Sequence, residues 1–180
     1  MQYLKIPKER IAVLIGNRGT VKRDIEARTS TKIVIEETSV TVETTQDSSL
    51  SELTAGNMVL AIGRGFSPDT ALMLMNEEYT LEVIHLRDYA NTPASFERIK
   101  SRVIGVNGKA RKNIEELSNA LVSVYGKTIS LIGTFEDVAV AKEAVMMLID
   151  GARHASVYRF LEKMRAQSRN VPWTGESPNI

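Results

Sequence analysis

The sequence predicts an α+β fold built twice over: two small β-α-α-β-β-α units in tandem, packed together and followed by a C-terminal helix. Three observations predict it. A Gly-x-x-Gly turn between helical segments occurs twice, as Gly16-Asn17-Arg18-Gly19 and Gly105-Val106-Asn107-Gly108, at an offset of 89 residues. At that offset the flanks stay in register without a gap: Thr29 falls on Ser118, Ile33 and Ile35 on Val122 and Val124, and Val40 and Val42 on Ile129 and Leu131. The apolar period also changes from helical to alternating at matching places in both halves, which is the mark of a duplicated domain. With 180 residues, 43% hydrophobic and 25% charged, the chain has material for two small cores.

The elements follow from period. Fifteen residues precede Gly16, which leaves room for one strand, around Gln2 to Lys5, and one helix. Lys8 to Ile15 then sets Ile11, Leu14 and Ile15 at helical spacing, and Thr20 to Arg28 does so with Val21 and Ile25. Lys32 to Ile35 and Val40 to Glu43 are β-branched and alternate around Glu36-Glu37-Thr38-Ser39, which reads as a hairpin. A helix from Leu50 to Ile62 closes the unit. The second unit repeats the order: strand Tyr79 to Leu86, helices Phe96 to Ile104 and Lys109 to Ala120, hairpin Leu121 to Tyr125 with Thr128 to Ile132, and a closing helix from Asp137 to Ile149.

Between the units, Ser67 before Pro68 is a helix start, leading into a short Met-rich helix that ends at Met75. This connector is apolar rather than Gly/Ser-rich, so the units are expected to pack together. The division expected is a first domain at 1–66, a helical connector at 67–78, a second domain at 79–152, a C-terminal helix at 153–168 and a mobile tail at 169–180. The helix carries Val157, Phe160, Leu161 and Met164 on one stripe, to dock on the second unit or on a partner. The tail carries Trp173 among Pro172, Gly175 and Pro178.

Composition excludes several chemistries. The chain has no cysteine and only two histidines, His85 and His154, so thiol catalysis, disulfides and zinc ribbons are out and no metal or cofactor is expected. No apolar run approaches the roughly 20 residues that cross a bilayer, and a cytoplasmic protein is expected. A net charge of +1 hides strong segregation. Residues 1–35 carry eight Lys/Arg against three Asp/Glu, residues 36–97 two against eleven, and residues 98–135 seven against two. Two basic islands flank an acidic stretch, and phosphate contacts are made locally.

Each basic island surrounds a Gly-x-x-Gly turn. Glycine permits positive φ and removes the Cβ that would hold a nucleic-acid backbone away, so the turn's amides face phosphate. A helix starting at the turn points its partial positive charge the same way. In the first unit Ile15, Gly16, Asn17, Arg18, Gly19, Lys22 and Arg23 are the candidate RNA-binding residues. In the second they are Ile104, Gly105, Val106, Asn107, Gly108, Lys109, Arg111 and Lys112, joined by Arg98, Lys100 and Arg102 on the approach and Lys127 at the hairpin turn. The strand side of each groove is expected from Ile33 and Ile35, or Val122 and Val124. The second unit, with more cations and no Glu36-Glu37 beside it, is expected to be the primary clamp.

With these turns, basic helices and hairpins, the chain resembles the KH family over nearly its whole length, in the type I, eukaryotic-type topology. In that module the GXXG loop clamps about four nucleotides of single strand beside an apolar groove. More specifically, Arg102-Val103-Ile104-Gly105-Val106-Asn107-Gly108-Lys109-Ala110-Arg111 and Glu82-Val83-Ile84-His85-Leu86 are similar to archaeal relatives of the partner-of-Nob family. That resemblance implies a small-subunit ribosome assembly factor that holds the 3′ end region of small-subunit rRNA. It also implies the Nob endonuclease and the alpha subunit of translation initiation factor two as partners. Both glycine turns are kept, which points to the archaeal branch.

Rival chemistries fail on spacing. Gly105 to Gly108 encloses two residues rather than the four of a Walker A loop, and Lys109 is followed by Ala110, which has no hydroxyl for magnesium. Gly63-Arg64-Gly65 reads as a helix C-cap rather than half a dinucleotide fingerprint. Glu36-Glu37 and Glu77-Glu78 read as solvated turns, and the methionines Met73, Met75, Met146 and Met147 as core filler. No residue set supports catalysis. The remaining alternative to RNA binding is a protein–protein adaptor in ribosome assembly or translation initiation, built on the KH fold, to which the acidic stretch and the Met-rich connector lend themselves.

Overall fold

The protein is described by a computed structural model covering residues 1–45 and 49–169. The first unit runs β1 (Gln2–Lys5), α1 (Lys8–Ile15), α2 (Thr20–Thr29), β2 (Thr31–Glu36), β3 (Ser39–Thr44) and α3 (Ser49–Gly63). A short helix α4 (Pro68–Leu72) and a 3-10 turn (Met73–Met75) lead into β4 (Tyr79–His85), α5 (Pro93–Ile104), α6 (Lys109–Ser118), β5 (Leu121–Tyr125), β6 (Thr128–Thr134) and α7 (Phe135–Ile149). The helix α8 (His154–Arg169) follows. This is the α+β class and the doubled order that the sequence predicts.

The boundaries that differ have local causes. Strand β4 stops at His85 because buried Leu86 opens a 3-10 turn. Helix α5 starts at Pro93, ahead of the apolar pattern, since the Thr92 hydroxyl accepts from the Ser95 amide at 3.2 Å and proline suits the first helical turn. Helix α6 stops at Ser118 because Asn119 turns left-handed, with φ of 61°. The expected Ser67 start of α4 is present, with its hydroxyl 3.1 Å from the Thr70 amide.

Each sheet is antiparallel, in the orders β1-β3-β2 and β4-β6-β5, so β2 and β5 are edge strands. In the first sheet Gln2, Val42 and Ile33 lie abreast, and so do Leu4, Val40 and Ile35; these point inward under α1, α2 and α3. In the second, Ile84, Ile129 and Val124 do the same, with Ile129 fully buried.

The units are joined face to back. Leu81, Ile132 and Leu121 lie abreast on the outer face of the second sheet, and all three belong to the first unit's core, Ile132 without any solvent exposure. The helical layer of the first unit therefore covers its own sheet on one side and the back of the second sheet on the other. Polar contacts finish the seam. Ser123 Oγ donates to the Arg64 carbonyl at 2.8 Å, and the Tyr125 hydroxyl donates to Glu9 Oε1 at 2.9 Å under the Arg10 guanidinium. The Glu9 carboxyl sits below its ordinary pKa, held there first by its own backbone amide and then by Tyr125. Tyr125 is pushed up, first by burial and then by the hydrogen bond to Glu9. By contrast the outer face of the first sheet is open, with Tyr3 75% exposed.

Helix α8 docks on the second unit through Val157 and Leu161, both fully buried, and His154 Nε2 lies 2.8 Å from the Arg102 carbonyl, a structural role for that histidine. His85 is exposed. Met146 and Met147 pack on the second core, while Met75 is exposed, so the methionines divide between filler and surface. The tail with Trp173 lies outside the described residues. No helix among the described residues is long and apolar enough to cross a membrane.

A shared core means shared cooperativity. Urea unfolding followed by circular dichroism is expected to give one transition, and Ile132→Ala to lower the stability of the whole by about 2–4 kcal/mol through the cavity it leaves. Two separated transitions, with only one of them moved, would show that the junction does not couple the units.

Candidate nucleic-acid interface

The two Gly-x-x-Gly turns have one geometry. Gly16, Arg18 and Gly19 have φ of 72°, 52° and 79°, and Gly105, Asn107 and Gly108 have 71°, 52° and 75°. The two glycines of each turn do different jobs. A Cβ on Gly16 would stand 2.5 Å from Val21 Cγ2, and one on Gly105 2.6 Å from the Ala110 Cβ, so the first glycine lets the helix fold back tightly on the turn. A Cβ on Gly108 would meet nothing within 4 Å, which leaves open space outside the second glycine for an approaching backbone. No residue of either turn is buried, and Val106 is 82% exposed. Helices α2 and α6 begin immediately after, without a side-chain cap; their first amides, of Thr20 and Lys109, close back on the Asn17 and Val106 carbonyls, and the partial positive charge of each helix start faces the turn.

A turn with no buried residue must be positioned by what flanks it. On one side an arginine ties the preceding helix to the end of the closing helix. Arg10 Nε donates to the Ile62 carbonyl at 2.8 Å and its Nη2 to the Phe66 carbonyl at 2.6 Å. Arg102 Nε donates to the Leu148 carbonyl at 3.0 Å and its Nη2 to the Ala152 carbonyl. These are equivalent places in two identical helix ends. In both, the glycine amide and the amide after it (Gly65 and Phe66, Gly151 and Ala152) bond back to the last turn in a Schellman arrangement. The C-cap reading of Gly63-Arg64-Gly65 holds.

On the other side a glutamate ties the following helix to the edge strand. Glu26 Oε1 accepts the Ile33 amide, and Glu115 Oε1 the Val122 amide, each at 2.8 Å. The same carboxylates pair with Lys22 at 3.4 Å and Arg111 at 3.9 Å. In the first unit the result is a groove of about 360 Å³ lined by Ile15, Lys22, Lys32, Ile33, Val34 and Ile35. Ile15 and Ile104 stand at the mouths of the two grooves, each 37% exposed.

The structure sorts the sequence-predicted residues. Asn17, Arg18, Val106, Asn107, Lys109 and Lys112 are exposed at the turns and the helix starts after them. Lys22 and Arg111 face the groove side through their shared glutamates. Arg23 folds back, donating to the Gly19 and Arg18 carbonyls at 3.2 and 2.7 Å, and so braces the first turn.

The approach cluster is corrected. Arg102 is the clamp just described, its guanidinium filled by carbonyls of the closing helix end. Arg98 is exposed, but six residues before Ile104 puts it about 120° around the helix from the groove side. Lys100 is on Ile104's side, paired with Glu97. Lys127 Nζ lies 5.1 Å over the Phe96 ring, near the start of α5 and about 12 Å along that helix from the turn. Sequence reasoning missed Arg10, Glu26 and Glu115. The glutamates had a signal, since Ile25-Glu26 falls on Ile114-Glu115 in the repeat.

Compared with known proteins, residues 80–166 match a PNO1-type family model described as the eukaryotic-type KH domain, type I, and residues 1–51 match the KH-domain model. The chain is 49% identical over 174 residues to a KH domain-containing protein of Methanocaldococcus jannaschii, covering 95% of this chain and 77% of that one. It is 27% identical over 108 residues to the pre-rRNA-processing protein PNO1 of Chaetomium thermophilum, covering 58% of this chain and 42% of that relative, less than half its length. Among solved structures, Dim2p from Pyrococcus horikoshii matches with a TM-score of 0.84 and 46% identity, over 90% of this chain and 98% of that one. A chain of the a/eIF2alpha–aDim2p–rRNA complex from the same organism matches with a TM-score of 0.86 and 45% identity, over 92% of this chain and 94% of that one.

The unequal glycines make unequal predictions. Gly108→Ala, opposed only by its φ, is expected to cost about 1–2 kcal/mol, and Gly105→Ala, which adds a backbone clash, about 2–4 kcal/mol. Chemical denaturation of the two variants checks the order.

Proposed function

The chain belongs to the archaeal branch of the PNO1/Dim2 family of KH-domain RNA-binding proteins, and on that premise we propose that it clamps single-stranded RNA with its two GXXG turns, holding the 3′ end region of small-subunit rRNA during ribosome assembly in the cytoplasm. The observation that carries this reading is the repeated turn: closely matching positive φ values at three positions in each unit, a first glycine closed against the helix, and a second that faces open space at Gly108 and the tip of Arg23 at Gly19. Phosphate oxygens are the acceptors that such a turn, followed by an uncapped helix start, is built to take.

The second unit is the primary clamp. Lys109 and Lys112 are exposed beside its turn, whereas in the first unit Arg23 braces the turn and leaves Arg18 as the cation facing out. The alpha subunit of translation initiation factor two is a partner in this reading, supported by the Pyrococcus complex that contains it together with rRNA. The Nob endonuclease is the second partner, as the family resemblance implies.

Fluorescence anisotropy of a short oligonucleotide matching the 3′ end of archaeal small-subunit rRNA tests the clamp. Val106→Asp/Asn107→Asp is expected to weaken binding by about tenfold or more, because it sets two carboxylates against phosphate, and Asn17→Asp/Arg18→Asp to weaken it less. If each unit neutralises about three phosphates, the logarithm of affinity falls against that of salt with a slope of about −4. Binding indifferent to both changes would leave the turns as scaffold and favour a protein–protein adaptor.

A further inference from the structure

The segments that follow the two closing helices start alike and then part. Helices α3 and α7 have equal length, and an offset of 86 residues sets their turn glycines, Gly65 and Gly151, on each other. In that register α4 begins where α8 begins, Pro68 on His154, and fully buried Ala71 stands on fully buried Val157. Helix α8 then continues to Arg169, lying on α6 and α7. In the first unit the chain makes one 3-10 turn, Met73–Met75, and leaves for β4. The last two turns of α8 therefore have no counterpart on α2 and α3. In the second unit α6, α7 and the end of α8 leave a cleft of about 200 Å³, lined among others by Leu117, Val140, Met164 and Arg165. In the first unit Arg28 and Thr54, at the registers of Leu117 and Val140, line a cleft of about 450 Å³.

The lining of the larger cleft fits an occupant of the same kind. Leu50, Leu53 and Met75 line it and are exposed, and the two leucines stand where the second unit has Glu136 and Ala139. Neighbouring exposed apolar side chains on a folded surface mark a contact. The charges fit as well. Glu77 lines the cleft and Glu78 is exposed next to it, while the cation at this place, Arg28, is taken by Asp24 at 2.8 Å. In the second unit the helix brings the cation: Arg165 of α8 lines the cleft together with Asp137. We propose that the first unit's cleft is the docking site of a short amphipathic helix from a partner protein, lying on α2 and α3 as the end of α8 lies on α6 and α7. Such a helix sets apolar side chains three and four residues apart on Leu50, Leu53 and Met75, and a lysine or arginine beside them toward Glu77. The site goes beyond the RNA clamp and shares no residue with the turns or with the groove on β2. It gives the two units separate tasks: the second fills this place with its own helix, and the first keeps it open.

The test uses the full chain and, as probe, a fluorescein-labelled peptide with the sequence of α8 from His154 to Ser168, which carries an apolar stripe and the cations Arg159, Lys163 and Arg165. The second unit's own cleft is guarded by the attached α8, whose effective concentration is far higher than that of added peptide. Saturable binding is expected in fluorescence anisotropy, with a rise in the peptide's helical circular dichroism. Leu53→Asp is expected to weaken it about tenfold or more, since it sets a carboxylate in the apolar contact. Glu77→Lys is expected to weaken it about threefold at low salt and less at high salt. Ala139→Asp, at the exposed counterpart of Leu53 in the second unit, should bind the peptide as the parent does. A parent that gives no saturable binding would overturn the proposal. So would an equal loss for Ala139→Asp and Leu53→Asp, because the peptide would then be competing with α8 on the second unit. A dimer in sedimentation velocity that Leu53→Asp dissolves would make the occupant a second copy of the chain and overturn the partner helix. Leu53→Asp should bind the rRNA oligonucleotide as the parent does, so the RNA clamp stands or falls separately.

Discussion

A solvent-exposed turn that must meet a phosphate chain cannot be held by burial, so its position depends on the two ties at its flanks. The arginine that fastens the preceding helix to the carbonyls of the closing helix end sets where the turn begins. The glutamate that fastens the following helix to the edge strand sets where it ends, and fixes the width of the groove with it. Both set charged side chains on backbone groups, which makes each bond stronger than a neutral one. The glycines shape the turn, and the ties aim it.

The junction gives the two copies different surroundings. One helical layer serves two sheets, so the outer face of the second sheet becomes core while the same face of the first stays open. Leu121 and Ser123 turn toward protein at registers where Lys32 and Val34 turn toward solvent and groove. Duplication supplied two similar sites, and packing one unit behind the other made them unequal. The apolar connector supports this order: Ala71 and Leu74 are buried in the first unit's core, so the linker is part of the structure that presents β4 to the sheet.

Most of the fold was legible because the repeat states it twice. The short strand Gln2–Lys5 was legible from the room left ahead of the first glycine turn, and its counterpart Tyr79–His85 repeats it at greater length. Helix ends were legible where a cap residue marked them, at Ser67, and not at Thr92, where the apolar stripe begins a turn after the cap. The turns themselves were plain, since no other residue pair takes their φ values as readily. The arginine clamp was hidden for a geometric reason. Arg10 and Arg102 reach equivalent carbonyls from positions three residues apart in repeat register, close to one helical turn, so the alignment that revealed everything else set Arg102 against Val13. Net charge carries no direction: of the cations grouped with the second turn, Arg98 lies around the helix from the groove side and Lys127, at the hairpin turn, stands over the far end of that helix.

The glutamate ties carry a consequence for how the chain behaves in company. An edge strand offers a row of unpaired amides and carbonyls, and in β2 and β5 that row borders an apolar groove, the combination through which sheets add foreign strands and aggregate. Glu26 and Glu115 put a carboxylate on an amide of each edge, at Ile33 and Val122. An incoming strand would have to displace a charged acceptor from that amide. A nucleic acid needs no strand register and approaches with side-on acceptors of its own. The edge is closed to polypeptide and left open to RNA by the same two atoms.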